Sequence, residues 1–341
     1  MKSIFKGLIV FLFVGTVSVP TLKTVVDIST EATKTEYTYL LAGLDDAASN
    51  TDVLIAFTYS SKSNASSIIQ IPRDTYCQFG ENQGKLNHLY ASLRNQGLSK
   101  ENAMKQTTDF IGESFGISFD GYIAITTGVF REAVDSIGGV VIILPEEFVY
   151  NDPQGKRSFV LPKGENIIDG RTAEIFVRHR KGYALGDLGR LDAQKIFING
   201  LYNTVVKRIG LFDFLKCIKS VSDGVITDFS LTDFLIMVLK HSSKFKDVEL
   251  SYLTMPGESV RDDDGIWYYI LNSKACEKVL LSHFKGFNGT FDIKMKFTDI
   301  DNPRFNEIYN RTDIEYKEYS VDELGDIHIV KSKALVRRKD S

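Results

Sequence analysis

The chain has 341 residues, of which 43% are apolar and 25% charged, and its formal net charge is −3. These proportions are those of an ordinary globular protein and exclude disorder of the whole chain. The near-neutral charge, without a basic stripe, argues against a nucleic-acid partner. Cys77, Cys217 and Cys276 are too far apart for a zinc site or a disulfide framework, so we expect small core side chains there.

The N-terminus combines positive charge with an apolar run. Lys2 and Lys6 precede an apolar stretch over residues 7–19, which grows to residues 4–22 if Lys6 reaches the lipid headgroups. No A-x-A cleavage site follows, so residues 1–22 favour an uncleaved, single-pass membrane anchor; a cleaved signal peptide and a buried helix are the alternatives. The lysines predict that the rest of the chain lies on the extracytoplasmic side of the cell membrane. We interpret the polar residues 23–36 as a tether.

Strand and helix patterns alternate from residue 37 onward. Three apolar runs bounded by turn residues predict buried strands, at residues 37–43, 52–59 and 67–72. Ser99 caps a predicted helix that ends at Gly116. A second helical period over residues 130–137 stops at two glycines, and a predicted strand over residues 140–144 follows.

The alternation continues in the second half, where we interpret residues 177–180 as a strand. Helices are predicted at residues 188–207, 231–240 and 273–284, and a further strand at residues 248–255. We therefore predict a single α/β domain over residues 37–287, with a central mixed sheet flanked by helices. Apolar residues thin out beyond it, so we expect residues 288–341 to form a polar C-terminal tail with one or two peripheral strands at most.

Two carboxylates stand at adjoining strand ends. Asp45 closes the first predicted strand and Asp52 opens the second. Carboxylates held close together repel each other unless a cation lies between them, and Mg²⁺ takes one or two protein carboxylates with water and phosphate oxygens. The alternative is that both aspartates shape a turn.

Arginines cluster after two predicted strands. Arg73 follows Pro72 at the end of a strand, which is the edge where open α/β sheets bind ligands. In a strand over residues 177–180, Arg178 and Arg180 would share one face and His179 would occupy the other. Two guanidinium groups on one face suit a phosphate, which Arg binds in a bidentate manner. An ordinary surface feature is the alternative for Arg73 with its neighbour Asp74, and we interpret His179 as a structural or exposed histidine rather than a base.

A third polar group opens the long predicted helix. Asp187, Arg190 and Gln194 are three and four residues apart and therefore share one helical face. A helix N-terminus offers free N–H groups to an anion. An exposed polar stripe would give the same pattern.

These segments together resemble the LytR-CpsA-Psr family over residues 37–287. The matching motifs are IPRD at 71–74, KLN at 85–87 with Tyr90 and Ala91, VDSIGGV at 134–140, Arg178-x-Arg180, and Asp187-x-x-Arg190 with Gln194. The resemblance implies an extracytoplasmic phosphotransferase of a Gram-positive bacterium. It would move a teichoic acid, capsular polysaccharide or related glycan from a polyprenyl pyrophosphate carrier onto peptidoglycan.

The resemblance also implies a role for each matching residue. Asp45 and Asp52 would hold Mg²⁺ or Mn²⁺. The pyrophosphate would be bound by Arg73, Lys85, Arg178, Arg180, Arg190 and Gln194. Arg73, Arg178, Arg180, Asp187 and Arg190 would be the catalytic residues, and Asn87 would be a neighbour of the site. Asp74 and Asp187 are the candidates for a general base.

Three features depart from the family pattern. Asn50 stands where the family has an Arg before the second metal aspartate, and Ala193 stands where an Arg precedes Gln194. The loop between Asp45 and Asp52 is also shorter than expected. These departures leave two alternative functions open, a non-catalytic polyprenyl-phosphate binder or regulator of envelope assembly, and a lipid pyrophosphate hydrolase.

Overall fold

The computed structural model describes residues 34–152, 158–179, 187–208, 224–229, 248–287 and 301–320, and a few residues between these ranges. The side chains of residues 187–191 and 206–208 lie outside this description, as do residues 1–33 and 321–341. In the part of the chain that is described, no helix has the length and hydropathy needed to cross a membrane. The expected anchor and nearly all of the expected tether lie outside the described residues.

A mixed seven-stranded sheet forms the centre of the domain. Its strands are β1 (Glu36–Leu44), β2 (Thr51–Ser60), β3 (Ala65–Ile71), β6 (Gly121–Thr126), β11 (Val225–Thr227), β12 (Glu249–Thr254) and β15 (Glu318–Ser320). The spatial order is β11-β6-β1-β2-β3-β12-β15. Strands β1, β2 and β3 are antiparallel neighbours, whereas β6 joins β1 and β12 joins β3 in parallel. The mixed sheet is confirmed.

Four two-stranded ribbons account for the other strands among the described residues. They are β4 (Tyr76–Phe79) with β5 (Asn82–Lys85), β7 (Val140–Leu144) with β10 (Gly164–Ile168), β8 (Phe148–Tyr150) with β9 (Phe159–Leu161), and β13 (Gly257–Arg261) with β14 (Trp267–Leu271). The described helices are α1 (Asn87–Asn95), α2 (Lys100–Phe115), α3 (Thr127–Ser136), α4 (Gly170–Arg178), α5 (Asp187–Arg208), α6 (Ser273–His283) and α7 (Pro303–Asn310).

The sheet separates two hydrophobic layers, because side chains alternate between its faces. On β2, Phe57 belongs to one layer, with residues of α3, α4, α5 and β7, and Ala56 to the other, with residues of α1, α2, α6, α7 and β14. Helices therefore cover both faces of the sheet, as the alternation predicted.

Local signals account for most of the predicted elements. Ser99 caps α2 by accepting a hydrogen bond from the Asn102 N–H at 3.1 Å, and Gly116 ends the helix with φ 63°, a conformation that favours glycine. The strands at 37–43, 52–59, 67–72, 140–144 and 248–255 and the helices at 130–137, 188–207 and 273–284 are confirmed within a few residues. The predicted helix at 231–240 lies outside the described residues.

The predicted strand at residues 177–180 is wrong. Arg178 is the last residue of helix α4, and Asp169 caps the helix start by accepting a hydrogen bond from the Thr172 N–H at 2.7 Å. The side chains of Ala173 and Phe176, which share one face of this helix, are fully buried. At Gly170 the helix passes so close to α3 that a Cβ atom would lie 2.2 Å from the carbonyl oxygen of Arg131.

The structure adds a packed element to the expected polar tail. Helix α7 is capped by Asn302 and buries Phe305, Ile308 and Tyr309 against β13 and β14. Strand β15 then pairs with β12 at the edge of the sheet. The segment after residue 287 thus contributes to both the core and the sheet.

His283 at the end of α6 generates a prediction about stability and pH. Its Nδ1 lies 2.9 Å from the Ser67 hydroxyl of β3, and burial lowers its pKa although Glu318 opposes the shift. The unfolded chain therefore takes up a proton near pH 6.5, before the folded protein does. The contribution of His283 to the free energy of unfolding is therefore fully present above that pH, and it is lost as the pH falls toward the lowered pKa.

We expect His283→Asn to reduce the loss of urea-unfolding stability between pH 7.5 and pH 5.5, because Asn does not titrate. His88→Asn, at an exposed position, is the matched control and should keep the pH dependence of the wild type. An unchanged pH dependence in the His283 variant would contradict the assignment.

Candidate functional site

One edge of the sheet gathers the charged residues. The carboxyl ends of β1, β3 and β6 and the start of β2 lie together there, because β1 and β6 are parallel and β2 runs antiparallel to β1 and β3. Arg73 follows β3, and helix α3 starts directly after β6. In open α/β sheets such an edge is the usual ligand site.

Asp52 owes its position to a β-bulge. Gly43 pairs with Val53 but Leu44 pairs with Thr51, so Asp52 is an extra residue on β2 without a partner on β1. Bulges re-aim side chains and are frequent beside active sites. At this position Asp52 forms ion pairs with two arginines from other elements, Arg73 and Arg178.

Charges of alternating sign run along this edge, and we call them the ion-pair row. Its members in order are Lys85, Asp74, Arg73, Asp52, Arg178 and Glu174. Lys85 Nζ lies 3.1 Å from Asp74 Oδ1, and Arg178 Nη2 lies 3.5 Å from Asp52 Oδ2. The structure therefore brings together five predicted site residues, Lys85, Asp74, Arg73, Asp52 and Arg178, from β2, the loop after β3, β5 and α4.

Arg73 carries a donor that the described residues leave unused. Its side chain is 11% exposed and pairs with Asp52, while its Nε is buried and has no hydrogen-bond acceptor in the described part of the chain. A buried N–H without an acceptor is costly, and an oxygen of a bound anion would satisfy it.

The ion-pair row branches at Glu174, whose side chain is only 8% exposed. Its Oε1 accepts from Arg178 Nη1 at 2.9 Å, and its Oε2 accepts from Arg131 at 2.6 Å and Arg171 at 3.0 Å. Arg131 also lies 3.6 Å from Asp46. Pairing to guanidinium groups offsets the cost of burying this carboxylate.

Asp46 and Asp45 lie in the turn between β1 and β2. A hydrogen bond from the Thr127 hydroxyl and the charge of Arg131 hold the pKa of Asp46 below its usual value, against partial burial. Burial raises the pKa of Asp45, but hydrogen bonds from Ser49 and Asn50 outweigh it and the net pKa is lowered. Both groups are therefore carboxylates at neutral pH.

The negative charge of each predicted metal ligand is already balanced by hydrogen-bond donors or by arginines. Asp45 accepts from the Ser49 N–H at 2.7 Å, the Ser49 hydroxyl at 2.6 Å and the Asn50 amide at 3.2 Å, whereas Asp52 is balanced by arginines. Their mutual repulsion therefore does not by itself require a metal. Among the described residues, no three His, Cys, Asp or Glu side chains gather as a metal site.

An apolar cavity of about 170 Å³ adjoins the ion-pair row, between the sheet and helices α3, α4 and α5. Its walls include Leu41, Ile55, Ile123, Phe130, Phe197 and Leu201. Asp52, Glu174 and Arg178 line the same cavity, so charged groups and hydrocarbon walls meet within one space. This arrangement suits an amphiphilic ligand with an anionic head and an apolar tail.

Gln194 lines the cavity, but its side-chain amide forms hydrogen bonds within the protein interior. Its Oε1 accepts from Gln70 Nε2, its Nε2 donates to the Val177 carbonyl at 3.1 Å, and Tyr252 donates to Gln70 Oε1 at 2.6 Å. This buried network links β3, β12, α4 and α5. The predicted pyrophosphate role of Gln194 stays a prediction.

The remaining predicted residues fall into two groups. Arg180 and the side chains of Asp187 and Arg190 lie outside the described residues, although α5 begins at Asp187 as predicted. Asn87 is buried at the start of α1, where its N–H donates to the Arg73 carbonyl at 3.1 Å.

The reason for expecting an anion at Arg178 also changes. The prediction rested on two arginines forced onto one strand face, whereas Arg178 ends a helix and is paired with Glu174 and Asp52. His179 does not face away from a strand but packs its ring edge-on against Phe148 and Tyr150.

Sequence reasoning missed Asp46, Arg131, Arg171 and Glu174. Glu174 precedes Arg178 by four residues, a spacing that predicts an ion pair on a helix and none on a strand. Reading Asp169 as a helix cap would have supplied this signal. The pairing of Arg131 with Glu174 joins residues 43 positions apart and leaves no local signal.

The fold and site together define an α/β protein with a charged sheet edge beside an apolar cavity. The LytR_cpsA_psr family matches residues 18–285, and the chain belongs to this family. The predicted family membership is thus confirmed.

Relatives with established names are similar over most of their length. The polyisoprenyl-teichoic acid–peptidoglycan teichoic acid transferase TagU of Oceanobacillus iheyensis is 25% identical over 244 residues, which cover 70% of this chain and 72% of TagU. The TagU of Bacillus subtilis is 26% identical over 251 residues, which cover 72% of this chain and 76% of that protein.

Solved structures share the fold. The crystal structure of B. subtilis TagV aligns with a TM-score of 0.63 and 22% identity, over 75% of this chain and 99% of TagV. A structure of TagT bound to LIIa-WTA aligns with a TM-score of 0.58 and 20% identity, over 74% and 91% of the two chains.

The buried amide network gives a prediction that separates structure from binding at Gln194. We expect Gln194→Ala to lower the free energy of unfolding by about 1–3 kcal/mol, because the Gln70 Nε2 loses its acceptor and the Val177 carbonyl loses the donor from Gln194. Urea unfolding measures this, with Gln96→Ala at an exposed position as the control. Unchanged stability would show that the network contributes nothing.

Proposed function

We propose that this protein transfers a glycan phosphate from a polyprenyl pyrophosphate carrier to peptidoglycan. The observation that carries the proposal is the junction of the ion-pair row with the apolar cavity at Asp52, Glu174 and Arg178. A lipid pyrophosphate has the same two parts, an anionic head and a hydrocarbon tail. The names of the TagU and TagV relatives describe a polyisoprenyl-linked teichoic acid donor and a peptidoglycan acceptor.

In the proposed reaction, a sugar hydroxyl of peptidoglycan attacks the phosphorus that carries the glycan. The new O–P bond forms as the bond to the bridging oxygen breaks, polyprenyl phosphate leaves, and the hydroxyl proton is released. Such transfers depend on charge neutralisation and alignment more than on covalent help. Arg73 and Arg178 would supply these by binding pyrophosphate oxygens, and Asp74, beside Arg73, is the described candidate for receiving the proton.

We also propose that a divalent cation binds at this edge. Asp45 and Asp52 flank the turn that ends in the bulge, and both offer the carboxylate oxygens that Mg²⁺ or Mn²⁺ prefers. These two residues would hold the ion together with phosphate oxygens and water. The bound ion would neutralise charge on the pyrophosphate.

The charge balance favours such a cation. Among the described residues, four guanidinium groups, of Arg73, Arg131, Arg171 and Arg178, are paired with three carboxylates, of Asp46, Asp52 and Glu174, so this part of the cluster carries a formal charge of +1. Lys85 and Asp74 cancel each other. A pyrophosphate diester carries two negative charges, which this cluster alone would leave incompletely balanced.

We further propose that residues 1–22 anchor the chain in the cell membrane with the domain on the extracytoplasmic side. This placement would keep the domain close to a lipid-linked donor. The support is the sequence pattern of Lys2 and Lys6 before an apolar run.

The arginines give the first test of the proposal. The purified full chain should carry polyprenyl phosphate or pyrophosphate, detectable by mass spectrometry of extracted lipid. We expect Arg73→Ala and Arg178→Ala each to weaken lipid binding about tenfold to a hundredfold, since a hydrogen bond to a charged group contributes roughly 1.5–3 kcal/mol.

Arg304→Ala, on helix α7 and 62% exposed, removes the same charge away from the cavity and serves as the control. Lys in place of Arg178 should recover only part of the affinity, because it lacks the planar fork. Equal lipid occupancy in all variants would refute an anion site at the ion-pair row.

The carboxylates give the second test. We expect Asp45→Asn and Asp52→Asn to abolish Mg²⁺-dependent transfer from a polyprenyl-pyrophosphate-linked glycan, because an amide holds the cation poorly. Transfer that depends on added peptidoglycan acceptor separates the transferase from a hydrolase, and absence of any turnover in the wild type indicates a binder. Full activity of either variant in metal-depleted buffer would show that the aspartate replaced in it is not a metal ligand.

A further inference from the structure

Glu174 is a buried carboxylate at the centre of three arginines. It lies on α4, one helical turn before Arg178, and lines the cavity. Its Oε1 accepts from Arg178 at 2.9 Å, whereas Arg131 and Arg171 share Oε2. None of the motifs found in the sequence includes Glu174, and the proposed reaction gives it no role.

Arg178 is held between two carboxylates at once. Its Nη1 contacts Glu174 and its Nη2 lies 3.5 Å from Asp52. A phosphate that binds Arg178 must therefore compete with acceptors that already use the guanidinium donors. The Arg178 side chain is 42% exposed, so it can exchange these partners without crossing the core.

Of the two carboxylates that contact Arg178, Glu174 is held more firmly in place than Asp52. It is 8% exposed, against 19% for Asp52, and three guanidinium groups fix its position. A carboxylate so constrained returns to the same geometry whenever Arg178 is released.

We propose that Glu174 is a positioning residue that holds Arg178 before a lipid phosphate binds and competes with that phosphate for it afterwards. The inference rests on the proposed function, because it takes the ligand to be a lipid pyrophosphate or its monophosphate product. The competition limits the affinity for both, and it allows the product to leave after transfer.

The test is the affinity of the full chain for farnesyl pyrophosphate and farnesyl phosphate, measured by calorimetry at one fixed Mg²⁺ concentration. Glu174→Gln keeps the size of the side chain but removes its charge. We expect it to bind both probes about tenfold more tightly, since an amide competes for the Arg178 guanidinium less well than a carboxylate and leaves its donors free for the phosphate. Structural damage would weaken binding, so a gain separates this role from a merely structural one.

Glu132→Gln is the matched control, because Glu132 is exposed on the neighbouring helix α3 and undergoes the same charge change. We expect its affinities to stay within about twofold of the wild type, since exposed charges are screened. In an Arg178→Ala background, Glu174→Gln should gain little, because its effect is transmitted through Arg178.

Each other outcome overturns the inference in a recognisable way. Unchanged or weaker binding by Glu174→Gln, with a wild type that binds farnesyl pyrophosphate, refutes the competition and leaves the proposed function intact. An equal gain in the Arg178→Ala background refutes the positioning. A wild type that binds neither probe refutes the proposed function and this inference together.

If Glu174→Gln does not fold, Glu174→Asp provides the same test. Its carboxylate is one methylene shorter and lies farther from Arg178, so we expect a smaller gain of about threefold. No gain in that folded variant overturns the proposal.

Discussion

The pairing of Asp52 with Arg73 and Arg178 joins three parts of the chain that are far apart in sequence. Asp52 opens β2, Arg73 follows β3, and Arg178 ends α4. Because Asp52 is displaced from the regular ladder by a bulge, one carboxylate reaches both guanidinium groups. The rest of the ion-pair row extends from this point to Lys85 at one end and to Glu174 at the other, where it branches to Arg131 and Arg171.

The ion pairs and the cavity depend on the same layer of the fold. Helices α3, α4 and α5 cover one face of the sheet, and α4 carries Glu174 and Arg178 toward its edge. The cavity lies where this layer leaves part of the sheet face uncovered, so the charged and apolar halves of the site share their supporting elements. Displacement of α4 would therefore alter head-group and tail recognition together.

Much of the fold followed from local sequence signals, and the site followed only in part. Strands β1 to β3 and helix α2 have clear apolar runs or caps, such as Ser99 and Gly116. The segment ending at Arg178 was misread because a short apolar run suits a strand as well as a helix. Its Asp169 cap and the Glu174–Arg178 spacing were the deciding signals.

Other features have no local signature. Apolar side chains such as Leu41 and Phe197 follow the same periodicity whether they fill a core or line a cavity. Likewise, helix α7 is short and follows a charged segment, yet Phe305 and Tyr309 pack into the core because β13 and β14 offer an apolar surface. Contacts of this kind arise from tertiary structure and cannot be read from neighbouring residues.

The bulge at Asp52 also bears on how related sequences can diverge. The turn over residues 45–50 is an exposed hairpin connection, and insertions at such positions change little beyond the loop itself. Deletion of one residue within the bulge would instead restore regular pairing between β1 and β2. The side chain that precedes Val53 would then point in another direction. Length variation among homologues should therefore accumulate before Thr51 and stop there, which makes strand β2 a better guide for aligning distant sequences than the loop that precedes it.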